Sequence, residues 1–295
     1  MEPKHFEHWP KHLPRHLTVP STSLHFNLEV SSQRYPDKPA VIFYESKLSY
    51  RELHRQVDLI AGFLQNRCGV RKGDRVILQM QNSPQFIIGY YAILRADAAV
   101  LAVSPMHVTD ELVHYFEDAG VSTAIVAQDL YEQIKPLLGK QAKHAIVATY
   151  SDYLTEPTVL EVPDFVQAPR VAVTDPGAVS WADALAAVYK PLPSAAQPDD
   201  LAAILYTSGT TGLSKGCMHS HRTIMHTLVG AVLWEGFNAD SVALATAPLF
   251  HVTGMQHSMN APIYAGASIA ILPRWKPDAA GYMIEHYGCT HWANV

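Results

Sequence analysis

The chain has 295 residues, 48% of them hydrophobic and 17% charged, a composition that builds a packed core and excludes a disordered chain. Its formal net charge of −5, with no Lys/Arg-rich run, gives no footprint for nucleic acid. Three scattered cysteines, Cys68, Cys217 and Cys289, argue against a disulfide framework and for a reducing compartment.

The first stretch, MEPKHFEHWPKHLPRHL, lacks the apolar core of a secretory signal, and no run is long enough for a membrane span. The expectation is therefore a cytoplasmic protein. His5, His8, His12 and His16 read as surface histidines of a proline-rich arm. Ser49–Glu52 has the spacing of a capping box, and Leu53, Val57, Ile60, Ala61 and Leu64 recur on one helical face up to Gly69. DRVILQM (74–80) reads as a buried strand, and Ser83-Pro84 opens a helix to about Arg95. AAVLAV (98–103) is a strand, 109–119 a helix, VSTAIVA (121–127) a strand, 128–138 a helix and HAIVAT (144–149) a strand. Between Tyr150 and Pro198 periodicity fades, apart from a short helix at SWADALAAVY, and the segment reads as a connector.

The alternation then restarts with strand LAAILY (201–206), a glycine-rich loop and a helix over about 220–234, with a buried face of Ile224, Met225, Leu228, Val232 and Leu233. SVALATA (241–247) is a strand, PLFHVTG a loop, GMQHSMNAPIYAG a helix, SIAIL (268–272) a strand and 277–287 a helix. THWANV begins another strand, and an ending inside an apolar run reads as part of a longer protein. Strands joined by helical crossovers imply a doubly wound, mainly parallel α/β sheet.

The loop after LAAILY belongs to the string YTSGTTGLSKG (206–216). Its glycines let backbone N–H groups converge on phosphate oxygens; Thr207, Ser208, Thr210 and Thr211 add hydroxyls, and Lys215 adds a mobile positive charge. It is not a Walker loop: five residues on from Gly209 stands Ser214, not glycine, and Lys215 is followed by Gly216. Nor is it a dinucleotide fingerprint, because Gly209 and Gly212 are three apart.

The string resembles the phosphate-binding signature of the adenylate-forming superfamily, [YF]-T-[ST]-G-[ST]-T-G-x-P-K-G, with Ser214 in place of the proline. That exchange keeps the loop's length and gives up the stiffening of φ. YPDKPAVIFYESKLSYREL, GDRVILQMQNSPQFIIGYYAILRADAAVLAVSP and PLFHVTGM are similar to further segments of the family, although Asp97 replaces an expected glycine. The resemblance implies two stacked doubly wound, mainly parallel sheets of an incomplete N-terminal AMP-binding domain over 1–295. One subdomain would span about 74–215 and the other about 20–70 plus 220–295, with the C-terminal domain absent.

The family's chemistry joins a carboxylic acid to AMP from Mg-ATP and passes the acyl group to coenzyme A. The resemblance implies that Thr207, Ser208, Gly209, Thr210, Thr211, Gly212 and Lys215 bind nucleotide, that Thr207 touches Mg2+, and that Lys215 and His251 are catalytic. Phe250, His251, Val252, Gly254 and Met255 are then the acyl-side residues; as a Met and aromatic cluster alone, Phe250, Val252 and Met255 read as ordinary core. His219, His221 and His226 do not share a helical face at metal-ligand spacing, so no zinc site is expected; His221 is expected to pack or cap at the helix start. Residues 247–260 contain no carboxylate to pair a substrate ammonium, which favours a neutral or apolar tail. A medium- or long-chain fatty acid is the first expectation and an aromatic acid the alternative. A short, non-catalytic nucleotide- or acyl-binding module is the rival of another class. The sequence leaves a homodimer open, and the resemblance implies that the adenine pocket, a second Mg2+ ligand and the C-terminal lysine lie outside this chain.

Overall fold

A computed structural model describes residues 3–207 and 214–294. In chain order, helix α1 (His25–Arg34) precedes the hairpin β1 (Pro39–Phe43) and β2 (Ser46–Ser49), then α2 (Tyr50–Asn66). There follow β3 (Arg75–Gln79), α3 (Pro84–Arg95), β4 (Ala99–Val103), α4 (Thr109–Asp118) and β5 (Thr123–Ala127). Next come α5 (Tyr131–Ile134), β6 (His144–Ala148), α6 (Asp164–Gln167), β7 (Ala178–Ser180) and α7 (Trp181–Ala186). The last third holds β8 (Leu201–Thr207), β9 (Lys215–Ser220), α8 (His221–Glu235), β10 (Val242–Ala245), α9 (Ala261–Ala265), β11 (Ser268–Ile271), α10 (Pro277–Tyr287) and β12 (His291–Trp292).

Two sheets result. One has seven strands in the order β7-β6-β5-β3-β4-β8-β9, and the other five in the order β12-β10-β11-β1-β2. All ladders are parallel except β8–β9 and β1–β2. The largest core lies between the sheets: Val41 and Phe43 of β1 and Ile269 of β11 share it with Val76 and Leu78 of β3. Helix α3 sits inside that layer, buried along Pro84–Leu94, which is why its sequence is apolar all round. Ile77, between Val76 and Leu78, points to the opposite face and joins Leu112, Tyr115 and Phe116 of α4 in a second core. Val76, Ile77 and Leu78 of β3 form a continuous apolar run because both faces are covered.

The caps read from sequence form: Ser49 Oγ accepts from the Glu52 N–H at 3.2 Å, and Ser83 Oγ from Phe86 at 3.1 Å. Glu52 does not reach back to its cap; its carboxylate is taken by Arg55 and Gln56 at 2.7 Å. Other expectations need correction. The helix expected over 128–138 breaks into α5 and flanking 3-10 turns, the second carrying Pro136, which cannot continue the helical ladder. The connector contributes an edge strand, β7, to the larger sheet. KGCMHS, expected to run from the glycine-rich loop to the start of the next helix, is strand β9, held by pairing to β8. On α8, Ile224, Met225 and Leu228 are buried as expected, but Leu233 is 40% exposed and Val229 and Ala231 are buried instead. Leu233 lies opposite Ile224 on the helix and, with Trp234, faces Trp9 and Leu17 of the N-terminal arm.

Candidate functional site

The β8–β9 hairpin carries the glycine-rich turn. Its register pairs Leu205 with Cys217, Tyr206 with Gly216 and Thr207 with Lys215. Thr207 and Lys215, both exposed, are therefore directly cross-strand, with α-carbons roughly 5 Å apart. Ser208, Gly209, Thr210, Thr211 and Gly212 lie outside the described residues. The sequence placed Lys215 in the loop; it is the first residue of a strand. Alternation along β9 puts Lys215, Cys217 and His219 on one face.

That face borders a cavity of 530 Å³ at the carboxyl ends of β4 and β8, where open α/β sheets bind their ligands. The end of β4 contributes Ser104 and His107, the hairpin Leu205, Thr207, Cys217 and His219, and the PLFHVTG loop Phe250, His251 and Val252. Residues from two sequence motifs thus meet in one space. The lining contains no carboxylate.

His251 donates its backbone N–H to Pro248 at 3.1 Å, and its Nδ1 accepts a long 3.4 Å bond from the Thr253 N–H. In the neutral ring this leaves the proton on Nε2 as a free donor. Gly254 and Met255 are not in the cavity lining. A Cβ on Gly254 would stand 2.2 Å from the Pro248 carbonyl oxygen and 2.8 Å from that of Ala247, so the glycine serves the loop's own close approach. Met255 is fully buried in the core between the sheets. Beyond them the chain makes a π-helical turn, Gly254–Asn260, before α9; Pro262 has no N–H to close an α-helical ring with Ser258.

Asn82, at the junction of β3 and α3, holds this loop in place. It is 3% exposed; its Oδ1 accepts from the Leu249 N–H at 2.8 Å and its Nδ2 donates to the Ala247 carbonyl at 3.0 Å. A side chain from the β3–α3 junction thereby fixes the loop that carries Phe250 and His251. Sequence reasoning assigned Asn82 no role; the available signal was a polar residue between a buried strand and a buried helix. His107 was also passed over. Burial lowers its pKa, partly opposed by Glu111, and its Nδ1 has no hydrogen-bond partner. His221 takes a structural place at the head of α8: its Nδ1 accepts the Leu24 N–H at 3.1 Å, and burial lowers its pKa to about 4.

The β8–β9 hairpin, the end of β4 and the PLFHVTG loop thus line one cavity in a protein of two mainly parallel α/β sheets. The family model of the AMP-binding enzymes matches residues 28–295, and the chain belongs to that family. It is 30% identical to a long-chain-fatty-acid–CoA ligase of Bacillus subtilis over 279 residues, covering 91% of this chain and 49% of the relative. It is 28% identical to 4-coumarate-CoA ligase 2 of Narcissus pseudonarcissus over 247 residues, covering 81% of this chain and 41% of that one. The fold superposes on a long-chain-fatty-acid-CoA ligase from Archaeoglobus fulgidus with a TM-score of 0.74 at 23% identity, covering 94% of this chain and 52% of that one. The chain spans about half the length of the curated relatives it matches.

Proposed function

We propose that this chain is the nucleotide- and acid-binding half of an AMP-forming acyl-CoA ligase, acting on a medium- or long-chain fatty acid. The observation that carries the reading is the pairing of Thr207 with Lys215 beside the cavity that His251 and Phe250 also line. The chemistry is electrostatically difficult: a carboxylate must approach a triphosphate, and pyrophosphate must leave with its charge. Residues 207–212 and Lys215 hold the β- and γ-phosphates, orienting the α-phosphorus and neutralising the leaving group. A carboxylate oxygen then bonds to the α-phosphorus as the bond to the β-phosphate oxygen breaks, giving acyl-AMP and pyrophosphate. The thiol of coenzyme A, losing its proton, attacks the acyl carbon, and AMP leaves.

His251 presents its Nε2–H toward the acid end, and Ala102, Val103, Leu205, Phe250 and Val252 supply the apolar wall. No carboxylate in that lining would pair a substrate ammonium, which supports a neutral tail. For Mg2+ the donor set fits a minor protein role. The Thr207 hydroxyl would supply a protein oxygen, and among the described residues no group of three or more His, Cys, Asp or Glu comes together. Magnesium bound through phosphates and one or two protein oxygens matches its ordinary habit, and it would screen the triphosphate charge. The chain is expected to act in the cytoplasm.

The test is ATP–pyrophosphate exchange by the full-length protein across fatty and aromatic acids. Exchange that is strongest with fatty acids is expected. Stronger exchange with aromatic acids would move the substrate class, and none with any acid would refute ligase function.

A further inference from the structure

The two residues flanking the turn, Tyr206 before Thr207 and Ser214 before Lys215, are both tied to one helix. The Tyr206 hydroxyl donates to Asp118, and its ring lies 4.4 Å from that of Tyr115 and 5.9 Å from that of His114. On the other side, His114 Nε2 donates to the Ser214 carbonyl at 3.2 Å. His114 and Asp118 are four apart on α4 and share a face. Directly cross-strand from Tyr206 is Gly216, whose missing side chain makes room for the tyrosine ring: a Cβ there would sit 3.3 Å from Cζ and 2.7 Å from Ile204. The ring is thus held between β9 and α4, with its hydroxyl anchored at the helix end.

We propose that α4 is a brace that fixes the separation and direction of Thr207 and Lys215, with His114 and Tyr206 as positioning residues for nucleotide binding. The inference rests on the reading that this hairpin holds the triphosphate. It also accounts for Ser214. A proline there would fix φ by its ring, whereas here the backbone is held from outside by the imidazole bonded to its carbonyl. His114 touches no reacting atom; it acts through Ser214 on the lysine that follows.

The experiment compares wild type, His114→Ala, His114→Gln and Tyr206→Phe in the full-length protein. Hydrogen exchange of the amides between Tyr206 and Gly216 is measured without nucleotide, and KM for ATP and kcat by pyrophosphate exchange. His114→Ala is expected to speed exchange in that segment about fivefold and to raise KM for ATP about fivefold, the size of one neutral hydrogen bond. kcat should stay within about twofold, as expected when only uniform binding is lost, and the thermal midpoint should fall by no more than about 3 °C. Gln, whose amide still donates, restores both values, and Tyr206→Phe, which keeps the ring, loosens the entry side alone. Unchanged exchange in His114→Ala overturns the brace. Faster exchange with an unaltered KM overturns its role in nucleotide positioning. A wild type that neither binds ATP nor exchanges pyrophosphate would instead bring down the functional reading, while the hydrogen-exchange comparison still decides the brace.

Discussion

Replacing Asn82 with alanine removes a side chain that ties the β3–α3 junction to the PLFHVTG loop. Two well-formed bonds are lost, from the Leu249 N–H at 2.8 Å and to the Ala247 carbonyl at 3.0 Å; weaker contacts reach the carbonyls of Ala245 at 3.4 Å and Leu272 at 3.5 Å. Leu249 is 0% exposed, so its N–H would be left buried without a partner. An unsatisfied buried group costs about 1–3 kcal/mol. With a polar cavity left at the junction, the total comes to about 3 kcal/mol. Urea unfolding of the full-length protein should show this as a lower midpoint with an unchanged slope. Asn82→Asp separates the two halves of the contact, because it keeps an acceptor for Leu249 while facing the carbonyls with a negative charge. It should recover stability as the carboxylate is protonated at low pH. A loss below about 0.5 kcal/mol in Asn82→Ala would refute the argument, since it would mean that the loop satisfies itself without the asparagine.

Three further outcomes are expected. Burial lowers the pKa of both His25 and His221 to about 4, so the unfolded chain takes up their protons first as pH falls. Stability is fully present above about pH 6.5 and is lost between there and about pH 4, by up to about 3 kcal/mol for each group. The thermal midpoint should follow that course, and His221→Asn, which offers an oxygen to the Leu24 N–H, should flatten it. Cys217 is an exposed free thiol on the cavity side of β9, two residues from Lys215; saturating ATP should slow its alkylation, and equal rates with and without ATP would place the nucleotide elsewhere. Lys215→Ala should slow adenylation by about 10²–10³, the cost of one pre-organised donor, and unchanged exchange kinetics would remove the lysine from the chemistry.

Most of the scaffold was legible because its signals are local. The apolar runs of β3, β4 and β5, the caps at Ser49 and Ser83 and the amphipathic stripe of α2 declare themselves within a few residues. Among the strands that escaped reading, β2, β7 and β9 have no such pattern and exist because a neighbouring strand offers its edge. At the site, the motif residues Thr207 and His251 could be named from their strings, but their shared cavity depends on contacts far apart in the chain. Asn82 lies 167 positions from Leu249, and His114 lies 100 from Ser214. Gly254 and Met255 stand outside that cavity: one makes room for the loop's own carbonyls, and the other packs in the core, the place its residue type alone suggests.

The most direct measurement is a structure of the full-length protein with Mg2+ and a non-hydrolysable ATP analogue. The account predicts the terminal phosphates within hydrogen-bond reach of the Thr207 hydroxyl and the Lys215 ammonium, with the α-phosphate turned toward the side of the cavity where His251 lies. Triphosphate density away from the β8–β9 turn would contradict it.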